Sequence, residues 1–178
     1  MKIYVIRHGR TEMNKQGIFN GLIDEPLLPE GREQARVAAE SLPQGLKHIY
    51  SSPLSRTRET AEILNTKLNL PISLHDELEE IDMGSLNGQK FTEERKQKHR
   101  SLQYDWRPQG GESFNDVKQR ILKFLKKLKT ESGDGEALIV THGGIIRVFT
   151  FLERGEYMED IGNVSFYSFD LDKILANI

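Results

Sequence analysis

Two arginines and two histidines lie at or shortly after the ends of apolar segments in the sequence: Arg7, His8, Arg56 and His142. An arginine guanidinium binds phosphate oxygens through paired N–H donors, which lysine does not reproduce. A neutral imidazole nitrogen can attack phosphorus, and histidine is one of the side chains that form covalent intermediates in catalysis. These residue types therefore indicate an anion site, and phosphate is the anion that suits them best.

The segments before these residues have the composition of buried strands. The run 2–6 is mostly β-branched or aromatic, and 48–52 and 137–141 are further strand candidates, each followed by a predicted helix. Strands that alternate with helices form mainly parallel sheets, and ligands bind where the carboxyl ends of such strands meet. We therefore predict an α/β fold, a three-layer α/β/α sandwich with a mainly parallel central sheet, which brings the four side chains together.

Apolar periodicity and turn residues predict the remaining elements. The predicted helices are 30–42, a helix from Pro53 with Ser52 as N-cap, 92–102, 113–129 and 144–152, and the other predicted strands are 71–74 and the edge strand 164–171. The segments 10–29 and 78–88 are predicted to be polar loops. No linker divides the chain, so we expect a single domain over 1–178, with 84–112 as a small cap over the sheet edge.

The 178 residues carry a net charge of −2 and no cysteine. Disulfides and thiolate metal sites are therefore excluded, and the weak charge gives no reason to expect a nucleic-acid or membrane partner. No apolar run approaches the roughly 20 residues of a membrane-spanning helix, and Lys2 leads directly into a strand without a signal-peptide cleavage site. We expect a cytoplasmic monomer or homodimer whose partner is a small-molecule phosphomonoester substrate.

Four motifs, in order along nearly the whole chain, resemble the histidine phosphatase superfamily, also called the phosphoglycerate mutase-like family. They are Arg7-His8-Gly9 with Thr11 and Asn14, Ser51-Ser52-Pro53-Leu54-Ser55-Arg56, Leu78-Glu79-Glu80-Ile81-Asp82-Met83-Gly84 and Val140-Thr141-His142-Gly143-Gly144. One such motif occurs often by chance, whereas four in order are a strong signal. The segment Gly110-Gly111-Glu112-Ser113 is similar to small bacterial phosphatases of this family, the α-ribazole phosphatase and broad-specificity group.

The resemblance implies a role for each matching residue. His8 is implied to be a nucleophile that becomes transiently phosphorylated, and Glu80 to be the proton donor. The implied phosphate-binding side chains are Arg7, Arg56 and His142. The residues implied to contact the phosphate or the substrate are Asn14, Asn20, Gly21 and Gly143. No metal ion or organic cofactor is implied.

The chemistry of such a site sets further expectations for His8 and for the acid. His8 attacks only as a neutral imidazole, with its other nitrogen held by an acceptor, and the resemblance implies that this acceptor is a backbone carbonyl in the following turn. The nearby arginines are expected to lower its pKa. The residues alone leave the acid open, because Glu79 and Asp82 are close in sequence and only the register of the family motif selects Glu80.

Hydrolysis of a phosphomonoester is the function we expect, and a phosphoglycerate mutase is the alternative enzyme. Mutases of the family have longer segments around the catalytic acid, whereas only about two dozen residues separate Gly84 from Gly110. A non-catalytic phosphate-binding regulatory module is the alternative from another class. A dinucleotide site is disfavoured, because Gly133 and Gly135 precede an apolar run instead of following one.

Some residues outside the motifs receive a structural interpretation. Three histidines belong to no motif and are predicted to lie at the surface: His48, His75 and His99. Arg58 lies two residues from Arg56, on another side of the predicted helix, and is predicted to be a surface or supporting residue. Trp106 is predicted to pack in the cap. Arg10 adds positive charge near the pocket entrance, and we expect it to favour an acidic substrate.

Overall fold

A computed structural model describes residues 1–100, 103–131, 135–156 and 158–177. In this part of the chain the strands are β1 (Lys2–Arg7), β2 (Leu46–Ser51), β3 (Ile72–Leu74), β4 (Glu136–Thr141) and β5 (Phe166–Asp170). The α-helices are α1 (Glu12–Gln16), α2 (Pro29–Ala39), α3 (Ser55–Asn65), α4 (Glu93–Arg100), α5 (Phe114–Glu131), α6 (Gly143–Arg154) and α7 (Leu171–Ala176). Short 3-10 helices cover Asp76–Leu78, Gly84–Leu86 and Arg107–Gln109.

The strands form one sheet in the order β3-β2-β4-β1-β5. The first four are parallel, and β5 pairs antiparallel with β1 at the sheet edge. Arg7 pairs with Thr141 and Ser51 pairs with Val140, so β1, β4 and β2 end together at one edge. The predicted fold class is confirmed, and so is the edge position of the last strand.

Side chains that alternate along the strands build a hydrophobic core on each face of the sheet. Ile3 and Val5 of β1 belong to a core with residues of α5, α6 and α7, whereas Ile6 belongs to a core with residues of α2 and α3. In β4, Leu138 and Ile139 are divided between the two faces in the same way. Burying each such side chain contributes about 1.5–3 kcal/mol, and the result is a sheet between two helical layers.

The helix after β2 begins later than the sequence predicts. Helix α3 begins at Ser55, with Leu54 at the N-cap position and no side-chain cap, so the prediction that Ser52 caps a helix from Pro53 is wrong. The backbone N–H of Ser52 instead donates to the carbonyl of Val140 at 3.1 Å and extends the β2–β4 pairing. This pairing places the hydroxyl of Ser52 at the same sheet edge as the predicted site.

Two helices, α1 and α7, are not predicted by the sequence analysis. Helix α1 lies inside the segment 10–29, which is predicted to be a loop. Its N-terminus is a reciprocal capping box: the Thr11 hydroxyl accepts from the N–H of Asn14, and the Asn14 side chain accepts from the N–H of Thr11. The spacing of Thr11 and Asn14 is therefore a local helix signal, and it fixes Asn14 beside the site.

The predicted cap, 84–112, contains α4 and two of the 3-10 helices, while Ser101 and Leu102 lie outside the described residues, as does Gly133. Trp106 is buried, and the ammonium group of Lys98 lies 4.8 Å from the centroid of its ring. The predicted packing of Trp106 is confirmed, whereas the single-domain organisation stays a prediction. Within the described ranges, no helix combines the length and apolarity needed to cross a membrane.

Candidate active site

The common edge of β1, β4 and β2 brings the two motif histidines together. The backbone N–H of His8 donates to the carbonyl of Thr141 at 3.0 Å and continues the β1–β4 pairing past Arg7. The ring centroids of His8 and His142 are 5.2 Å apart, with the rings edge to face at 61°. Parallel strands in register thus bring residues from opposite ends of the chain into contact.

His8 is held in one orientation and one protonation state. It is 2% exposed, and its Nδ1 lies 2.7 Å from the carbonyl oxygen of Gly9. Because a carbonyl only accepts, Nδ1 carries the proton and Nε2 has a free lone pair. Burial, and then the charges of Arg56 and Arg7, hold the pKa of His8 well below its usual value, so the ring is neutral near pH 7. The expected carbonyl and the expected direction of the pKa shift are both confirmed.

The turn after His8 requires the absence of a side chain at Gly9. A Cβ atom there would lie 2.4 Å from the carbonyl oxygen of Gly31 in α2. The N–H of Gly9 donates to the hydroxyl of Thr60 at 3.0 Å, and this hydroxyl donates to the carbonyl of Arg56 at 2.7 Å. The turn that carries the nucleophile is therefore bonded directly to helix α3.

Arg56 is fully buried, and each nitrogen of its guanidinium has a partner. Nη1 and Nη2 donate to the carbonyls of Ile23 and Gly21 at 2.7 and 2.8 Å, and Nε donates to Nδ1 of His142 at 3.3 Å. These bonds fix the plane of the guanidinium. The structure places Gly21 against Arg56 through this carbonyl, and a contact of Gly21 with substrate stays a prediction.

His142 lies between Arg56 and Ser52 and is fully buried. Because its Nδ1 accepts from Arg56, its proton is on Nε2, which donates to the Ser52 hydroxyl at 3.0 Å. Burial, and then the charge of Arg56 and the neighbouring His8, hold the pKa of His142 well below its usual value. For His142 to donate a hydrogen bond to phosphate, its Nε2–H must first break the hydrogen bond to the Ser52 hydroxyl. The hydrogen bond from His142 to phosphate stays a prediction.

Arg7 keeps one part of its guanidinium unpaired. Its Nη1 donates to the carbonyl of Ile161 at 2.7 Å, whereas Nε is buried and has no hydrogen-bond partner among the described residues. Leaving a buried N–H unpaired costs about 1–3 kcal/mol, which an anion bound at Nε would relieve. Burial lowers the pKa of Arg7 to about 10, so it remains a cation near pH 7. Gly143 lies beside this nitrogen and lines the same cavity.

Glu80 is buried, with its carboxylate directed at the first turn of α6. Oε1 accepts from the N–H of Ile81 at 3.0 Å, and Oε2 accepts from the N–H of Gly144 at 3.3 Å. The N-terminus of a helix favours negative charge, so this position suits a carboxylate. Helix α6 begins directly after His142, and the acid therefore lies close to the paired histidines.

The structure separates Glu80 from its two neighbouring acids. Asp82 accepts from the N–H of Gly84 at 2.8 Å and from the side-chain amide of Asn87 at 2.6 Å. Glu79 is half-buried, and burial raises its pKa. Of the three acids, only Glu80 lines the cavity that contains His8. This placement favours the choice made by the family register.

An ion pair that the sequence analysis does not identify fixes the loop of Glu80. Arg120 of α5 donates to the carbonyls of Glu79 and Glu80 at 2.9 and 3.1 Å, and to both carboxylate oxygens of Glu112 at 2.7 and 3.0 Å. Glu112 also accepts from the N–H of Asp82 at 3.0 Å. Glu112 belongs to the motif Gly-Gly-Glu-Ser, but Arg120 lies among helical lysines and has no sequence signal of its own.

Asn14 and Asn20 are bonded to each other beside His8. The amide of Asn14 donates to Oδ1 of Asn20 at 3.0 Å, and Asn14 accepts from the amide of Asn163 at 3.3 Å. The amide of Asn20 donates to the carboxylate of Glu25 and to the hydroxyl of Thr11. Asn14 and Asn20 both line the cavity, as predicted for substrate contacts, and their roles stay predictions.

A cavity of about 520 Å³ with a mostly positive lining lies over His8 and Glu80, and the fully buried His142 is not among its lining residues. Its cationic residues are Arg7, Arg10, Arg56, Lys96, Arg100 and Arg147, and Glu80 is the acid on its wall within the described residues. A cavity of this charge binds anions. No group of three or more metal-ligating side chains lies within metal-binding reach in the described part of the chain.

Helices α4 and α6 add cavity residues that the sequence analysis misses. The predicted surface position of His99 is wrong, because it is buried and its ring centroid lies 4.9 Å from that of Phe19. Burial lowers the pKa of His99 to about 3, so this ring is neutral. Arg147 lines the cavity from α6. Neither residue belongs to a motif that the sequence analysis could use.

Comparison with known proteins places this site in a family. Residues 3–170 match the model of the histidine phosphatase superfamily (branch 1), and the chain belongs to that superfamily. It is 34% identical over 182 residues to "Probable phosphatase C1687.21" of Schizosaccharomyces pombe, covering 100% of this chain and 81% of the relative. It is 30% identical over 171 residues to "Putative phosphoserine phosphatase 2" of Hydrogenobacter thermophilus, covering 92% and 83%.

A solved structure with a similar fold is the phosphoglycerate mutase from Thermus thermophilus. It aligns with a TM-score of 0.80 and 31% identity, over 96% of this chain and 93% of that one. The sheet and its helical layers are thus phosphoglycerate mutase-like. Together, the superfamily and the named relatives support an enzyme with phosphatase- or mutase-type activity.

Proposed function

We propose that the chain hydrolyses small phosphomonoesters through a phosphohistidine intermediate on His8, without a metal ion. The observation that carries this proposal is the state of His8, a buried neutral ring whose Nδ1–H is fixed by the carbonyl of Gly9. This arrangement leaves the Nε2 lone pair for attack on phosphorus. Glu80, the proposed acid, lines the same cavity.

In the first step, Nε2 of His8 attacks phosphorus and the bond to the ester oxygen breaks. The carboxyl group of Glu80 transfers its proton to this oxygen, so a neutral alcohol leaves. Arg7 and Arg56 stabilise the charge on the phosphoryl oxygens, and the unpaired Nε of Arg7 supplies one buried donor. Phosphoryl transfer depends mainly on such positioning and charge stabilisation.

In the second step, the ionised Glu80 takes a proton from water while the water oxygen attacks the phosphorus of phospho-His8. The N–P bond breaks, and its electron pair returns to Nε2. Inorganic phosphate leaves, with Glu80 protonated and His8 neutral again. Acid–base help of this kind contributes roughly 10²- to 10⁴-fold in rate.

A phosphoglycerate mutase is the second candidate, favoured by the likeness to the Thermus thermophilus mutase. It shares the first step and then returns the phosphoryl group to a second hydroxyl instead of to water. A non-catalytic phosphate-binding module is the third candidate. It explains the arginines but gives no use to the buried carboxylate of Glu80 beside the neutral His8.

Hydrolysis of p-nitrophenyl phosphate in the presence of EDTA tests the proposal. We expect turnover by the wild type and none by His8→Ala, with His48→Ala as the histidine control outside the cavity. Phosphoenzyme trapped by rapid denaturation should carry acid-labile, alkali-stable label on His8. A His8→Ala protein with wild-type turnover would overturn the mechanism, and phosphate binding with neither turnover nor label would indicate a binding module.

A product assay separates hydrolysis from transfer. With 3-phosphoglycerate as substrate, the proposed phosphatase releases inorganic phosphate, whereas a mutase forms 2-phosphoglycerate with little phosphate release. A wild type that forms 2-phosphoglycerate faster than phosphate would contradict the proposal.

The cytoplasmic location and the monomeric or homodimeric state stay predictions.

The preference for acidic substrates is proposed from Arg10. Its side chain lines the cavity, and its Nε lies 3.4 Å from the carboxylate of Glu30, which offsets part of its charge. We expect Arg10→Ala to slow the hydrolysis of multiply charged phosphates more than that of singly charged ones. Equal effects on kcat/KM for both classes of substrate would contradict this proposal.

The assignment to the α-ribazole phosphatase and broad-specificity group stays a prediction, and a metabolite screen tests it.

A further inference from the structure

The segment 158–164 contacts both residues of the Arg7-His8 pair. The carbonyl of Ile161 accepts from Nη1 of Arg7 at 2.7 Å, and the N–H of Val164 donates to the carbonyl of Arg7 at 3.0 Å. The amide of Asn163 donates to the carbonyl of His8 at 2.9 Å. The segment therefore holds the end of β1 from the side of the edge strand β5.

The backbone of this segment is held in an unfavourable conformation at Val164. Its φ is 56°, in the left-handed region that β-branched residues rarely adopt. Such strain persists only where surrounding contacts fix the backbone. At Val164 the N–H bond to Arg7 is one of those contacts, which indicates that the position of the segment is specified.

Arg147 anchors the start of the segment from helix α6. Its Nε donates to the carbonyl of Met158 at 3.1 Å, and its Nη2 donates to the carbonyl of Glu159 at 2.8 Å. Among the described residues, Arg147 forms no salt bridge within 4.0 Å, so backbone carbonyls are the partners of this partly buried cation. The same helix begins at Gly143, beside Arg7.

We infer that Arg147 is a positioning residue for Arg7, acting through the segment 158–164. By holding the carbonyls of Met158 and Glu159, Arg147 fixes the carbonyl of Ile161, which in turn sets the orientation of the Arg7 guanidinium. With Nη1 bound to Ile161, Arg7 keeps an unpaired Nε beside Gly143, which lines the cavity, as a donor for the phosphate. This inference rests on the proposed function, because it assigns Arg147 to the phosphate site of that reaction.

Direct contact of Arg147 with the leaving group is the competing explanation, because Arg147 also lines the cavity. Inorganic phosphate separates the two explanations, since it has the phosphoryl oxygens of a substrate but no leaving group. A positioning role predicts weaker phosphate binding when Arg147 is changed. A leaving-group contact predicts unchanged phosphate binding and losses that differ among substrates.

The experiment compares wild type with Arg147→Met, Arg147→Lys and the control Arg154→Met, an exposed arginine on the same helix. Phosphate binding is measured by isothermal titration calorimetry, which needs no turnover, and kcat/KM and Tm are measured beside it. We expect Arg147→Met to weaken phosphate binding about 10-fold and to lower kcat/KM by roughly 10- to 100-fold on every substrate. Arg154→Met should match the wild type in phosphate binding and in kcat/KM, because Arg154 does not line the cavity.

Arg147→Lys keeps the charge and reaches one carbonyl, so we expect its phosphate affinity to lie between those of the wild type and Arg147→Met. If Arg147→Met does not fold, Arg147→Lys still tests the inference. A lower Tm with unchanged phosphate affinity would overturn the positioning role and leave a structural one. Losses confined to one class of leaving group would also overturn it. If the wild type hydrolyses phosphomonoesters and the Arg147 variants bind phosphate as tightly as the wild type does, only this inference is refuted. If the wild type itself does not bind phosphate, the proposed function is refuted as well.

Discussion

The carboxylate of Glu80 occupies the space that a side chain on Gly144 would need. A Cβ atom on Gly144 would lie 2.4 Å from Oε1 of Glu80 and 2.7 Å from Cδ1 of Ile81. The N–H of Gly144 also donates to Oε2 of Glu80 at 3.3 Å. The first turn of α6 therefore orients the proposed acid and leaves room for it at the same point.

We expect Gly144→Ala to displace Glu80 and to resemble Glu80→Gln. Alkyl phosphates need a proton on the leaving oxygen, so their kcat/KM should fall about 10²-fold, while p-nitrophenyl phosphate, with a stable anionic leaving group, should lose much less. A leaving-group series measures this difference. Glu79→Gln is the control, because Glu79 precedes Glu80 in the sequence but does not line the cavity that contains His8. Equal losses across the series would contradict this account of Glu80.

The stability of the protein should fall as the pH drops below about 6.5, the usual histidine pKa. Burial lowers the pKa of His8, His99 and His142 in the folded state, and that of His99 to about 3. As the pH falls, these histidines therefore bind protons in the unfolded chain but not in the folded chain. Their contribution to stability is fully present above the histidine pKa of the unfolded chain and is lost as the pH falls below it. His99 alone removes about 1.4 kcal/mol between pH 7.5 and pH 5.5, because it stays neutral in the folded protein over this whole range.

Substituting His99→Phe tests this pH dependence at one residue. The ring lies among aromatic neighbours, with Phe19 and Phe91 at 4.9 and 5.7 Å, so phenylalanine suits the position. We expect the loss of unfolding free energy between pH 7.5 and pH 5.5, measured by urea denaturation, to shrink by about 1.4 kcal/mol. His48→Phe, at a partly exposed histidine, should reduce the loss by less. If His99→Phe has the same pH dependence as the wild type, His99 binds its proton in the folded protein at the same pH as in the unfolded chain.

Removing Arg120 should destabilise the fold and disorder the loop of Glu80. Arg120→Met leaves the carboxylate of Glu112 without its bidentate partner, and breaking a buried ion pair on one side costs about 3–5 kcal/mol, here nearer the lower value because both groups are partly exposed. Thermal unfolding measures the loss. Arg107→Met is the matched control, because its pair with Asp105 is exposed and its loss should change stability little. Similar Tm values for both variants would contradict the structural importance of Arg120.

The strands and the residues at their ends are the part of the site that the sequence predicts well. A strand buried on both faces is a continuous apolar run, so β1 and β4 are visible in the sequence. Arg7 is the last residue of β1, and His8 and His142 directly follow β1 and β4. Arg56 is harder to assign to the site from the sequence, because it approaches His8 and His142 only if β2 and β4 are neighbours in the sheet. The motif order supports that arrangement without proving it.

The supporting contacts could not be predicted, because they join side chains to distant backbone atoms. Arg147 and Arg120 bind carbonyls, and any residue type supplies a carbonyl, so no sequence pattern marks their partners. His99 is hidden for another reason. Helix α4 is charged along most of its length, and His99 is buried by Phe19, which lies in a distant loop. Only the tertiary arrangement shows which face of such a helix is covered.

Replacing Arg56 by lysine should damage the site although the charge is kept. The guanidinium of Arg56 bonds to two carbonyls and to His142, and a single ammonium group cannot hold this planar arrangement. We expect Arg56→Lys to lower kcat/KM for p-nitrophenyl phosphate by about 10²- to 10³-fold, as for the loss of one preorganised donor. Arg58→Lys is the control, because Arg58 is exposed on the same helix and should keep wild-type activity. Comparable kinetics for the two variants would show that charge alone is needed at position 56.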